Sequence, residues 1–217
     1  MSVAVFYFGG FQASQSDIDA WVRSAKLQKP QIIFRGFPWP TGASFVGKVA
    51  IKTLTDDGRL AAMVKTIEQF EQDQNSKKDK DGKTDPVEKI FIVGHSSGGA
   101  IANAVDAAVG VDAHIVLVVL DGSMPSDDQL ARTDTQVWGA MCDGVTSMNF
   151  PGTAKGRGKV FQATNCKSKW ALHFSIVNAN ANDSMFDPKG DSNVNIPKGY
   201  TNCAANLGFL GRSMDLP

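Results

Sequence analysis

Apolar residues in this chain fall into two kinds of pattern, short continuous runs and longer stripes at helical spacing, and the two alternate. Val3 to Phe8 is an apolar and aromatic run of strand length that stops at Gly9-Gly10. Ser14 or Ser16 can cap a helix behind it, with Ile18, Trp21, Val22 and Ala25 as the buried stripe and Pro30 ending it. Gln31 to Phe34 predicts a second strand, which leads into a rigid aromatic loop, Gly36-Phe37-Pro38-Trp39-Pro40. Thr55 and Asp56 open a longer helix whose inward face is Leu60, Met63, Val64, Ile67 and Phe70. Lys89 to Val93 is a third strand, followed by a helix with the stripe Ile101, Ala104, Val105, Ala108 and Val109 and a C-cap at Gly110. Ile115 to Leu120 is a fourth strand and Lys159 to Thr164 a fifth; Ala171 to Asn178 fits either helix or strand.

Continuous apolar strands separated by amphipathic helices predict an α/β fold. The expected architecture is a three-layer sandwich around a mostly parallel, doubly wound sheet of about five to six strands. At 217 residues the chain reads as one domain, 1–217. Within it, 124–158 is a long connection rich in Gly, Met and Asp. A connection of that length suggests a lid or pocket wall, with a pair of short helices as the plainer alternative.

Charge narrows the partners. Lys+Arg and Asp+Glu are equal at 22 each, so no basic field exists for a nucleic-acid backbone or an anionic membrane surface. No stretch is long and apolar enough to serve as a membrane anchor. Met1 to Gly10 lacks a basic leader and a cleavage site and reads as a strand, which predicts a cytoplasmic protein. Cys142, Cys166 and Cys203 have no metal-type spacing and form no disulfide framework. The polar segment Asp73 to Asp85 contains Asp79-Lys80-Asp81-Gly82, a loose calcium-loop match. Lys77 would occupy its first ligand position and repel a cation, so no metal is expected. No cofactor is implied, and the sequence does not speak to oligomeric state.

The chemistry concentrates at Gly94-His95-Ser96-Ser97-Gly98, between the third strand and its helix. A Gly-x-Ser-x-Gly turn in that context exposes the serine oxygen at the end of a sheet. The next amide, that of Ser97, lies at a helix N-terminus and suits an oxyanion. A dinucleotide loop needs Gly-x-Gly-x-x-Gly and a Walker loop Gly-Lys-Ser/Thr; both are absent here. The glycine turn after the first strand, Gly10-Phe11-Gln12, ends at the same edge and can supply a second donor.

A serine hydroxyl needs a base. Of three histidines, His95 lies inside the turn and is expected to point away from Ser96, while His114 starts the fourth strand at the far end of the sheet. His173 remains. Asp121, ending the fourth strand, is the candidate to orient it, with Asp183 and Asp143 as alternatives. Phe37, Trp39, Trp138 and Met141 are candidate substrate-binding residues, with Met148 near them.

These residues resemble the α/β-hydrolase superfamily. The shared features are the serine turn between strand and helix, the glycine turn after the first strand, and the order Ser96, Asp121, His173. The first strand would correspond to the family's third, as in small members similar to cutinases. An acid after the strand that follows the nucleophile resembles the thioesterase domains of peptide and polyketide synthases. The family's usual histidine near the C-terminus has no counterpart here. Patatin-like lipases also pair Gly-x-Ser-x-Gly with Asp-Gly, but at a greater separation than Ser96 and Asp121-Gly122. The resemblance implies a serine hydrolase acting on a small-molecule ester or thioester, with Ser96, His173 and Asp121 catalytic and Ser97, Phe11 and Gly10 around the oxyanion. A binding protein on a degenerate hydrolase fold, or an acyltransferase using the same serine, are the alternatives.

Overall fold

A computed structural model of the chain describes residues 2–120, 122, 135–139, 159–162 and 201–204. Seven strands and four helices are described: β1 (Ser2–Phe8), α1 (Gln15–Gln28), β2 (Ile33–Phe37), α2 (Gly47–Asp56), α3 (Arg59–Ser76), β3 (Val87–His95), α4 (Gly98–Ala108), β4 (His114–Leu120), β5 (Thr135–Gly139), β6 (Lys159–Gln162) and β7 (Thr201–Ala204). The strands form one sheet in the order β2-β1-β3-β4-β5-β6-β7, and every pairing between them is parallel. The α/β class that the patterning predicts is therefore what the chain adopts, with seven described strands against the five to six expected.

Helices lie on both faces of the sheet. On one face, Phe6, Phe8, Ile90, Ile92, Leu117 and Val119 meet Leu54 of α2, Ile67 and Phe70 of α3, and Ile101 and Val105 of α4. On the other, Tyr7 stacks on Trp21 of α1 at 4.2 Å, and Trp21 meets Phe34 edge-on at 5.8 Å. Both sets of alternating residues are dry, which is why β1, β3 and β4 read as unbroken apolar runs. Burial raises the Tyr7 hydroxyl pKa far above its ordinary range, with the nearby Asp17 carboxylate adding to it.

Ser14, not Ser16, caps α1. Its side chain accepts the Asp17 N–H at 3.3 Å, and the Asp17 carboxylate accepts the Ser14 N–H at 2.8 Å. Ile18, Trp21 and Ala25 are buried as the stripe predicts, and Val22 is half-buried.

Three boundaries differ from the sequence reading. β2 starts later than expected and runs on into the aromatic stretch, because Phe37 stacks on Phe8 at 4.6 Å and holds the backbone extended. Helix α2 has no counterpart in the patterning. Only Ala50 and Leu54 of it are buried, and its N-cap residue, Val46, makes no side-chain cap. Thr55 and Asp56 close α2 rather than open α3. Gly58, at φ 79°, makes the joint, and α3 begins at Arg59, whose N–H the Asp57 carboxylate accepts at 3.1 Å. That carboxylate also bonds the Arg59 side chain, which holds its pKa below the usual range.

Helix α3 secures the amino end of the sheet. Buried Glu71 accepts the N–H groups of Asp112 at 3.1 Å and Ala113 at 2.6 Å, just before β4. Glu68 accepts the N–H of Gly110 at 2.9 Å, and Asn75 that of Val87 at 2.9 Å. Gly110 follows the C-cap residue Val109 without a left-handed φ, and α4 ends on the Val109 N–H donating to the Val105 carbonyl where a glycine cap was expected. The polar segment after α3 is a small hairpin bridged at Lys78 and Thr84, whose tip is tied by Asp79 accepting from Asp81 and Lys83. β5 lies inside the stretch read as a lid or pocket wall, so that stretch adds a strand beside β4; the remainder of 124–158 lies outside the described residues. None of the described helices is long and apolar enough to cross a membrane.

Candidate functional site

The strand order reverses direction at β1. From β1 the chain moves outward to β2, then returns to place β3 on the other side of β1. In an open parallel sheet such a switch leaves a crevice between the diverging connections at the strands' carboxyl ends, and ligands bind there. Here the crevice lies between the turn after β1 and the turn after β3. These are Gly9–Ala13 and Ser96–Ser97.

Ser96 has φ 52°, a left-handed backbone that a residue with a Cβ rarely adopts. Such a conformation costs on the order of 1–3 kcal/mol and persists only where its surroundings enforce it. The surroundings are explicit. The Ser96 N–H donates to the Leu120 carbonyl at 3.0 Å, and the Gly99 N–H donates to the Ser96 carbonyl at 3.0 Å. Three glycines let backbones close in around the turn. A Cβ on Gly94 would lie 2.5 Å from the Gly98 carbonyl oxygen, one on Gly98 2.5 Å from that of Gly9, and one on Gly122 2.5 Å from that of Ser96. Ser96 and Ser97 are both half-buried, so the turn remains reachable from solvent.

The turn after β1 presses against this serine. A Cβ on Gly10 would lie 3.0 Å from Ser96 Cβ and 3.0 Å from His95 Nδ1. The Ala13 N–H donates to the Gly10 carbonyl at 2.9 Å, closing a β-turn whose third residue, Gln12, has φ 65°. Gln12 and Ser96 are the two non-glycine residues with positive φ among the described residues, and both sit at this crevice. Ser97 is the N-cap of α4 and makes no side-chain cap. Among the described residues no carbonyl accepts the N–H of Ser97 or of Phe11. Two backbone donors are thus left at the same edge, beside a strained serine.

The order β2-β1-β3-β4-β5 is also that of flavodoxin-like proteins, which bind phosphate at the first strand–helix turn. The chemistry of this turn disfavours that use. The Asp17 carboxylate already occupies the N-terminus of α1, held below its usual pKa by hydrogen bonds from the Ser14 side chain and backbone. A second anion there would meet a fixed negative charge.

The residues proposed from sequence separate into three groups. Ser96, Ser97, Gly10 and Phe11 come together as described. His114 is at the far end of β4, paired with Lys89 and roughly 20 Å from Leu120 at about 3.3 Å per residue. His95 is buried beside Gly10. Phe37 is half-buried against the core and stacks on Phe8, and the buried Trp39 ring donates its Nε1–H to the Ala43 carbonyl at 3.3 Å. Trp138 belongs to β5, its backbone in register with Leu120. Asp121, His173, Met141, Met148, Asp143 and Asp183 lie outside the described residues. Among the described residues no base is hydrogen-bonded to the Ser96 hydroxyl.

Gln12 falls in the turn that the sequence places at this edge, but the close approach of Gly122 to Ser96 was not legible. The one available signal was the Asp-Gly pair ending a strand, which reads as an ordinary turn. Neither protein-family models nor curated proteins yield a match to the sequence.

Proposed function

We propose that this chain is a serine hydrolase that cleaves a carboxylic ester or thioester through an acyl-enzyme on Ser96. One observation carries the reading: a left-handed, glycine-flanked Ser96 at the strand–helix turn, with the β1 turn packed against it. Strained residues held at a sheet's carboxyl edge are a signature of nucleophile turns. The strand order and the two unclaimed amides support the α/β-hydrolase resemblance, in which the nucleophile's next amide and the turn after the family's third strand form the oxyanion hole.

In this reading His173 takes the proton from Ser96 Oγ as the oxygen bonds to the substrate carbonyl carbon. The amides of Ser97 and Phe11 hold the resulting oxyanion, each donor lowering the barrier by about 3–4 kcal/mol. The imidazolium then protonates the leaving alcohol or thiol, and the acyl group stays on Ser96. Water, deprotonated by His173, releases the acid. Asp121 orients the imidazole; what supports it is that its chain neighbours Leu120 and Gly122 both lie against the Ser96 backbone. An acyltransferase would use the same first half-reaction with a different acceptor.

A fluorophosphonate probe tests the proposal. Labelling of the wild type that disappears in Ser96→Ala and His173→Ala supports it. A folded wild type that takes no label overturns it in favour of a binding protein.

A further inference from the structure

We infer that the apolar patch made by Phe11, Phe45, Val46 and Val49 binds the acyl chain of the substrate, so that the substrate class is an ester or thioester of a linear aliphatic acid. This deepens the serine-hydrolase reading and rests on it. Large apolar side chains left in solvent are few here. Among the described residues Phe11 is 45% exposed, Phe45 64%, Val46 44% and Val49 50%. The fifth such residue, Leu27, lies near the end of α1. Four of five therefore gather in one neighbourhood, which scattered surface exposure would not produce.

That neighbourhood adjoins the nucleophile. Phe11 follows Gly10, which touches Ser96. Its ring meets Phe45 edge-on at 6.0 Å and the buried Trp39 at 5.7 Å. The first turn of α2 follows, and Gly47 packs against Ala100 in the first turn of α4. A path thus runs from the serine over Phe11 to Phe45 and the exposed side of α2. Ala43 to Gly47 carry no charge, and Lys48 is the one charged residue between Phe45 and Val49. The oxyanion donors fix which way a carbonyl points. With Phe11 supplying one donor, a substrate carbonyl would sit beside the residue whose ring meets Phe45. A second copy of the chain is a poorer occupant. Four partly exposed side chains offer on the order of 400 Å², against about 800 Å² per partner in a stable interface.

The test compares p-nitrophenyl acetate, butyrate and octanoate on the full chain, with octanoate binding to Ser96→Ala measured by calorimetry. kcat/KM is expected to rise at least about 30-fold from acetate to octanoate, since each fully buried methylene contributes up to about fourfold. Phe45→Ser and Val49→Ser should each cut the octanoate-to-acetate ratio about fivefold, while Leu27→Ser leaves it unchanged. All three positions are exposed, so folding is not at stake. A flat chain-length profile, or one that Phe45→Ser and Val49→Ser do not move, overturns the inference and leaves the hydrolase reading intact. If the wild type hydrolyses nothing and takes no fluorophosphonate label, the hydrolase reading falls. Octanoate binding that Phe45→Ser abolishes would then still support an acyl-chain site, and no binding would overturn it. Concentration-dependent dimerisation lost in Phe45→Ser, together with a flat profile, would reassign the patch and overturn the inference.

Discussion

At the amino end of the sheet, three side chains of α3 reach out to backbone N–H groups that would otherwise lack partners: Glu71 to Asp112 and Ala113, Glu68 to Gly110, Asn75 to Val87. At the carboxyl end, the Ser97 and Phe11 amides have no such acceptor among the described residues, Ser96 and Gln12 are held at positive φ, and aromatic rings stand in solvent. The two ends belong to the same strands and share one core. On the proposed reading, the contrast reflects use more than stability. Polar groups are satisfied where the fold has only to hold, and left available where a ligand would complete them.

The largest expected effect breaks the carboxyl end alone. Ser96→Ala should abolish probe labelling and lower ester turnover by about 10³ or more, read from initial rates. Ser96→Gly should lose activity equally, yet gain up to about 1 kcal/mol of stability in urea unfolding, because glycine accepts φ 52° without strain. A glycine variant no more stable than the alanine one would remove the claim that strain is stored there.

Glycines at the two ends should answer differently. Gly98→Ala drives a Cβ to 2.5 Å and 2.6 Å from the carbonyl oxygens of Gly9 and Phe8. It should cost about 3 kcal/mol and disturb the turn. Gly110→Ala meets only Glu68 Oε1 at 3.5 Å, an ordinary contact, and should be neutral or stabilising by up to about 1 kcal/mol. Equal costs in denaturation midpoints would undo the comparison.

Next, Glu71→Ala leaves two N–H groups at the start of β4 without their acceptor. It should destabilise by about 2 kcal/mol while the folded protein still labels at Ser96. Loss of labelling in a folded variant would show that the ends are not independent.

The smallest effect is in acid. The Ser14 side chain and backbone hold the Asp17 carboxyl below the usual carboxylate range. A lowered folded-state pKa means that its stabilisation is complete above about pH 4 and is lost as pH falls through the folded value. Asp17→Asn should therefore flatten the acid limb of stability slightly, seen in denaturation midpoints between about pH 5 and 2.

What could be read in advance follows from periodicity. β1, β3, β4, α1 and α4 bury wide, regular apolar faces, and each was legible as a strand or helix. Helix α2 buries two residues on one side and exposes Val46 and Val49 on another, so no stripe announces it. β5 and β7, Thr-Gln-Val-Trp-Gly and Thr-Asn-Cys-Ala, carry too little apolar character to be told from loop. Their extended form comes from the strand beside them.

The candidate site divides the same way. Ser96 was legible because a small-residue turn between strand and helix is a local pattern, and local backbone geometry is encoded within a few residues. That Gly10 would touch Ser96 depends on β1 and β3 being neighbours although some 80 positions apart in the chain. Trp39 is buried and Phe37 half-buried against the core, while Phe45, no different in kind by sequence, stands in solvent. Hydrophobicity belongs to the residue and can be read from the chain. Exposure belongs to the packing around it, and only the folded structure assigns it.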